Sequence, residues 1–230
     1  MKILALDSTA VAASVALCED EKLLAEYSIE NGNTHSETLL PMIESALHFF
    51  ALKPDDIDLF AASAGPGSFT GVRIGAATVK GLAFDTQKPC VGVSTLEALA
   101  ENLSIVNGLV CPVMNARRKQ VYTALFRMKD GVATRLLPDS AMAITELDEL
   151  LSAYDKPIYL VGDGYDITVE LLTHSTVAVP DRLRRQSAYS VAQVALKAYR
   201  NGVLTTDTEM VPTYLRPSQA ERERNERLKQ

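Results

Sequence analysis

The order of apolar segments predicts an α/β protein of two related lobes, the second one reduced. Three observations carry that expectation. The apolar spacing switches repeatedly between a period of two and one near 3.6, the mark of strands interleaved with helices. Residues 1–103 read β-β-β-α-β-α-β-α. Residues 104–230 begin again as β-β-β-α-β-α and are less complete, with a tail expected to pack back on the first lobe.

Ile3 to Asp7, Ala13 to Leu17 and Lys22 to Ile29 read as three short strands joined by tight turns. The period then changes. Leu39, Leu40, Ile43, Leu47 and Phe50 recur at helical spacing, and Thr34 with Glu37 three residues on forms a capping-box pattern. Pro41 lies inside this helix, near its start, and is expected to bend it. A strand from Leu59 to Ala64 leads into the glycine-rich "SAGPGSFTGVRIG", Ser63 to Gly75. A helix (Thr70 to Asp85), a strand (Cys90 to Val93) and a helix (Thr95 to Leu103) complete the first unit.

The second unit opens with "LVCPVMNARRKQVYTALF", two strands around a polar turn. A third strand, Ala133 to Leu137, follows Lys129-Asp130-Gly131. A helix from Thr145 to Ala153, a strand from Pro157 to Val161 and a turn with Gly162 and Gly164 come next. Helices at Ile167 to Leu172 and Ala188 to Arg200 follow. A duplicated unit of this order is the topology of the actin, hexokinase and Hsp70 superfamily, in which two ribonuclease-H-like halves face each other across a cleft. That superfamily holds kinases, ATPases and inert scaffolds, so fold alone does not give function.

Composition narrows the classes. The chain is 47% hydrophobic and 23% charged, the mix of a globular core with a solvated surface. Its net charge of −6 and lack of tryptophan argue against a protein that grips a nucleic-acid backbone unaided. Arg182, Arg184, Arg185, Arg222 and Arg224 read as solvated charges. Cys18, Cys90 and Cys111 have no metal or CxxC spacing and read as buried thiols. Asp7 interrupts the apolar N-terminus too early for a signal segment, and no stretch reaches transmembrane length. The expected compartment is a reducing cytoplasm.

Two places in the first unit could carry chemistry. Asp7 ends the first strand with Ser8 and Thr9 in the turn. This is either a carboxylate for Mg²⁺ beside small phosphate donors, as in a sugar-kinase-like ATPase, or a plain hairpin turn. The strand end that should supply a second carboxylate is Asn115, a neutral amide. The glycine loop fits neither GxxxxGK[ST] nor GxGxxG. Gly65, Gly67 and Ser68 would offer backbone N–H groups to an anion. The three histidines, His35, His48 and His174, form no HExxH or HxxxH pattern. In the helix after the loop, Gly71, Gly75, Thr78, Val79 and Leu82 fall on one face. Small residues at that spacing let another element come close, within the chain or from a partner.

"ILALDST", "HSETLLPMI", "AGPGSFTGVRIGAATVKGLA", "GVSTLEALA", "ARRKQVYTALF" and "PTYLRP" occur in this order over nearly the whole chain. Together they resemble the bacterial TsaB family, also called YeaZ. The resemblance implies a subunit of the machinery that makes threonylcarbamoyladenosine beside the anticodon of tRNAs reading codons that begin with A. It implies a catalytically silent relative of TsaD, the transferase, paired with TsaD and joined by the ATPase TsaE. A TsaC-type threonylcarbamoyl-AMP synthase and tRNA enter indirectly, and the isolated chain self-pairs. The resemblance implies no cofactor or metal held by this chain alone, with ATP or ADP at the partner interface. Thr95 and Leu99 stand where TsaD carries two metal-binding histidines. Asn115 departs from the more usual aspartate of the family. The partner interface is then expected at Leu39, Leu40, Ile43 and Leu47 of the first helix. On the second it is expected at Gly71, Arg73, Gly75, Thr78, Val79 and Leu82. In this reading Gly75→Leu breaks pairing and leaves the fold intact.

Overall fold

The first strand, β1 (Lys2–Asp7), is buried along nearly its whole length on both faces, which explains its unbroken apolar run. Leu4 and Leu6 point to one side of the sheet, Ile3 and Ala5 to the other. β1 pairs antiparallel with β2 (Ala13–Glu19) and parallel with β4 (Leu59–Ser63). With β3 (Lys22–Ile29) and β5 (Cys90–Val93) they form a sheet of order β3-β2-β1-β4-β5. The computed structural model describes residues 1–203 and 205–216. The charged tail at 219–230, with Arg222 and Arg224, lies outside them.

Two helices cover one face of this sheet. α1 (His35–Phe49) begins at Thr34, whose N–H donates to the Glu37 carboxylate at 3.1 Å, one half of the expected reciprocal cap. The helix runs through Pro41, which is exposed in its interior. α2 (Phe69–Thr86) is capped by Ser68, whose hydroxyl accepts the Gly71 N–H, and it ends at Gln87 in the left-handed region. The opposite face is covered from the second half of the chain. Ala188, Val191, Ala192 and Ala195 of α7 (Ala188–Arg200) pack on Ile3, Ala5, Leu59 and Ala61.

The second sheet has the order β8-β7-β6-β9, formed by β6 (Gly108–Asn115), β7 (Gln120–Lys129), β8 (Val132–Ala143) and β9 (Ile158–Val161). α3 (Thr95–Glu101) belongs to the first unit in sequence but lays Leu96, Leu99 and Ala100 on this second sheet. α4 (Ile144–Leu151) and α5 (Tyr165–Leu171) cover the other face, and α6 (Asp181–Arg184) is a short turn of helix that the apolar pattern does not announce. The result is the duplicated actin/hexokinase/Hsp70-like architecture, with the second lobe one strand shorter. β8 extends well past the predicted Leu137, through Pro138 and Asp139. It is an edge strand, where a proline removes no ladder donor that the sheet needs, so Pro138 does not stop it.

Candidate functional site

Both lobes turn the carboxyl ends of parallel strands toward the space between them, the usual place for a ligand in such sheets. A cleft of about 590 Å³ lies there, lined from one side by Thr9, Gly67, Ser68 and Arg73 and from the other by Asn115, Arg117, Tyr122 and Asp163. Asp7 ends β1 beneath it, 1% exposed. Both of its oxygens are taken. The Ser63 hydroxyl donates to Oδ2, while the Thr9 N–H and hydroxyl each donate to Oδ1 at 2.8 Å. Ser8 is equally buried, and its hydroxyl donates to the Gly71 carbonyl at 2.9 Å.

The glycine loop is filled by its own chain. Gly65, at φ +112°, has the Thr213 carbonyl 2.4 Å from where a Cβ would stand. At Gly67 the Thr9 carbonyl is 2.6 Å from that position, and this carbonyl accepts the Ser68 N–H. The Ser68 N–H, one of those expected to face an anion, is therefore turned inward, and three donors of the chain itself already hold Asp7. The chain's own groups hold Asp7 and crowd the loop glycines, which weighs against the sugar-kinase-like alternative. Thr95 and Leu99 are buried. Among the described residues no three His, Cys, Asp or Glu gather as a metal site. Burial pushes the Cys111 thiol up to about 12, so it stays a protonated core group.

The second carboxylate of the cleft is Asp163, which follows β9, not β6. The strand end expected to supply it carries Asn115, whose side chain instead accepts the Arg117 N–H at 2.8 Å. The signal was present in "VGDG", an acid between two glycines at the end of a parallel strand. Asp163 is reached by solvent through the cleft mouth but walled by protein. Desolvation, with a smaller push from the Asp7 charge, lifts its pKa to about 6 against an opposing hydrogen bond from the Asn115 backbone. Burial also raises Asp7, against the hydrogen bonds from Ser63 and Thr9. A raised carboxylate stabilises the fold at pH below its unfolded value, and that contribution is lost as pH rises through about 6. Asp163→Asn should therefore stabilise the fold at pH 7.5, by roughly 1 kcal/mol after solvent screening, and so raise its melting temperature there, with no gain near pH 4. Thermal melts of both proteins across that range check it.

The predicted interface residues divide. Leu39, Ile43, Leu47 and Val79 are buried in the core of their own lobe. Gly71 and Gly75 face inward: a Cβ at Gly71 would stand 1.9 Å from the Ser8 carbonyl, and one at Gly75 2.6 Å from the Ser8 hydroxyl. The close approach that these glycines permit is to the β1–β2 turn, so Gly75→Leu would damage the fold, contrary to the sequence expectation. Arg73 is engaged with its own chain. Its Nε donates to the Tyr214 hydroxyl at 2.8 Å, beside a stacked Phe69–Tyr214 pair. Thr78 is half-buried, and its hydroxyl donates to the Ile74 carbonyl.

Leu40 and Leu82 do reach the surface, and a groove of about 750 Å³ runs between them, with Ile43, Leu47, Leu52 and Phe49 in its walls. Leu40 is 52%, Phe49 75% and Phe84 66% exposed. Ala77, Gly81 and Phe84 lie at i, i+4 and i+7 on the outer side of α2, and a Cβ at Gly81 would meet nothing within 4 Å. Phe49, Ala77, Gly81 and Phe84 were missed because two small-residue stripes share α2 and the inner one is longer. The outer sides of α1 and α2 together expose a continuous apolar patch.

A family model described as "TsaD: tRNA N6-adenosine threonylcarbamoyltransferase" matches residues 23–223. The chain is 34% identical to the tRNA threonylcarbamoyladenosine biosynthesis protein TsaB of Bacillus subtilis over 75% of each chain. It is 30% identical to the Escherichia coli TsaB over 94% of this chain and 95% of that one. YeaZ from Pseudomonas aeruginosa superposes with a TM-score of 0.82 at 28% identity, over 93% of this chain and 99% of the other. Among the described residues no helix is long and apolar enough to cross a membrane. Full-length matches in sequence and in structure agree, and the chain belongs to the TsaB (YeaZ) family, within the wider TsaD family.

Proposed function

We propose that this chain is a non-catalytic partner subunit in the making of threonylcarbamoyladenosine on tRNA. It pairs with TsaD through the outer faces of α1 and α2, holds the transferase in its working arrangement and helps recruit TsaE. A TsaC-type synthase supplies the threonylcarbamoyl-AMP upstream, and the assembly works in the cytoplasm. In isolation the same apolar face pairs two copies of the chain. Any ATP or ADP is held at the shared interface and not by this chain alone. One observation carries the reading: an apolar groove and helix stripe stand open on one side, while the cleft has its loop glycines and Asp7 occupied by the chain itself.

The test is a reconstituted modification reaction with TsaC-type synthase, TsaD, TsaE, tRNA and ATP. Product should form only when this chain is added, and Asp163→Asn should support it as well as the unaltered chain. A large loss of product by Asp163→Asn, with TsaD binding unchanged, would show that the cleft takes part in the chemistry.

A further inference from the structure

Arg117, Arg118 and Lys119 sit at φ +64°, +55° and +56°, three consecutive non-glycine residues in the left-handed region. Glycine or asparagine would occupy those positions with less strain. The turn is locked nonetheless. Gln120 N–H donates to the Arg117 carbonyl at 3.1 Å, Ile144 N–H to the Lys119 carbonyl at 3.1 Å, and Arg216 to the Ala116 carbonyl at 2.7 Å. The outcome is a rigid tip between β6 and β7 that carries three exposed cations. Strain held in place at an exposed tip points to a use for the side chains.

These cations adjoin two more. Arg73 and Arg216 line the cleft together with Arg117, and Asp163 is the one carboxylate in that lining. Among the described residues none of the five makes an ion pair, whereas Arg135, Arg185 and Arg200 are matched to carboxylates elsewhere. In a chain of net charge −6 this is a local reversal of sign. We propose that this rim holds the phosphate backbone of RNA. Five cations along a tip and a cleft mouth span more than one phosphate. The rim offers cations to phosphate oxygens, so the contact reads backbone without sequence. The tip at 117–119 lies on a different element from the α1/α2 face, and only Arg73 of the rim stands on α2, one turn before Ala77. The choice of RNA among polyanions rests on the proposed role in tRNA modification.

The experiment measures fluorescence anisotropy of a labelled 17-nucleotide RNA stem-loop, about that length being enough for several phosphate contacts, titrated with the full chain at several salt concentrations. Arg117→Gly/Arg118→Gly removes two charges while suiting the left-handed backbone, so its melting temperature should not fall. It is expected to weaken binding roughly tenfold or more at low salt and to lower the salt slope by nearly two. Arg118→Glu should weaken binding as well. Unlabelled RNA should displace the probe far better than ATP at equal phosphate concentration. The proposal is overturned if the unaltered chain does not bind, if the glycine variant binds within twofold with the same slope, or if ATP competes equally, which would mark a small-anion site. TsaD affinity of the glycine variant is measured alongside and should not change, so failure here is separable from failure of the partner reading.

Discussion

Gly71→Ala is expected to destabilise the first lobe by about 3 kcal/mol or more, a severe effect for one added methyl group. The clash is with backbone and not with a side chain that can turn aside: the new Cβ would stand 1.9 Å from the Ser8 carbonyl. Relief requires α2 to move away from the β1–β2 turn. That motion would break the hydrogen bond from the Ser8 hydroxyl to the Gly71 carbonyl and loosen Asp7, whose three donors come from Ser63 and Thr9. Buried donors left without their acceptor add to the cost. Gly81→Ala is the matched control, since its Cβ meets open space. Alanine there should stabilise α2 by up to roughly 1 kcal/mol through helix propensity. Urea unfolding of the two variants, followed by circular dichroism, checks the opposite signs.

The second large effect is on association. Leu40→Glu with Phe84→Glu should weaken binding to TsaD by about 100-fold or more, since apolar anchors at the centre of an interface carry most of its energy. Both side chains are more than half exposed in the free chain. The fold should therefore lose little, within about 0.5 kcal/mol as for ordinary surface positions. The same variant should be monomeric where the unaltered chain self-pairs, and sedimentation velocity at several concentrations reads that directly. A variant that still binds TsaD normally would move the interface elsewhere on the molecule.

Much of this was legible in the residues. The repeated order of periods gave the two lobes, because strands buried on both faces and amphipathic helices leave different traces in one dimension. Edges were harder. β8 carries Pro138 and Asp139 yet continues, since an edge strand has one side free of partners. The cleft was half legible. Asp7 was visible at the end of the first strand, but Asp163 was sought on the wrong strand and found on the neighbouring parallel one. Helix faces were the least legible part. Gly71 and Gly75 looked outward-facing because spacing reports that two residues share a side of α2, not which side meets the sheet. Only the position of Ser8 and Thr9 above the helix start decides that. Similarly, nothing in "NARRKQ" shows that three basic residues adopt a left-handed turn, because part of what holds them comes from Ile144 and Arg216, far along the chain.

The central claim is that α1 and α2 dock the transferase while the cleft of this chain stays out of the chemistry. Amide hydrogen exchange of the chain with and without TsaD tests it most directly. The account predicts that added protection falls on the segments 37–53 and 74–87, with the strand ends at 7–9, 114–117 and 162–164 exchanging as before. Protection concentrated at those strand ends, with α1 and α2 unchanged, would contradict it.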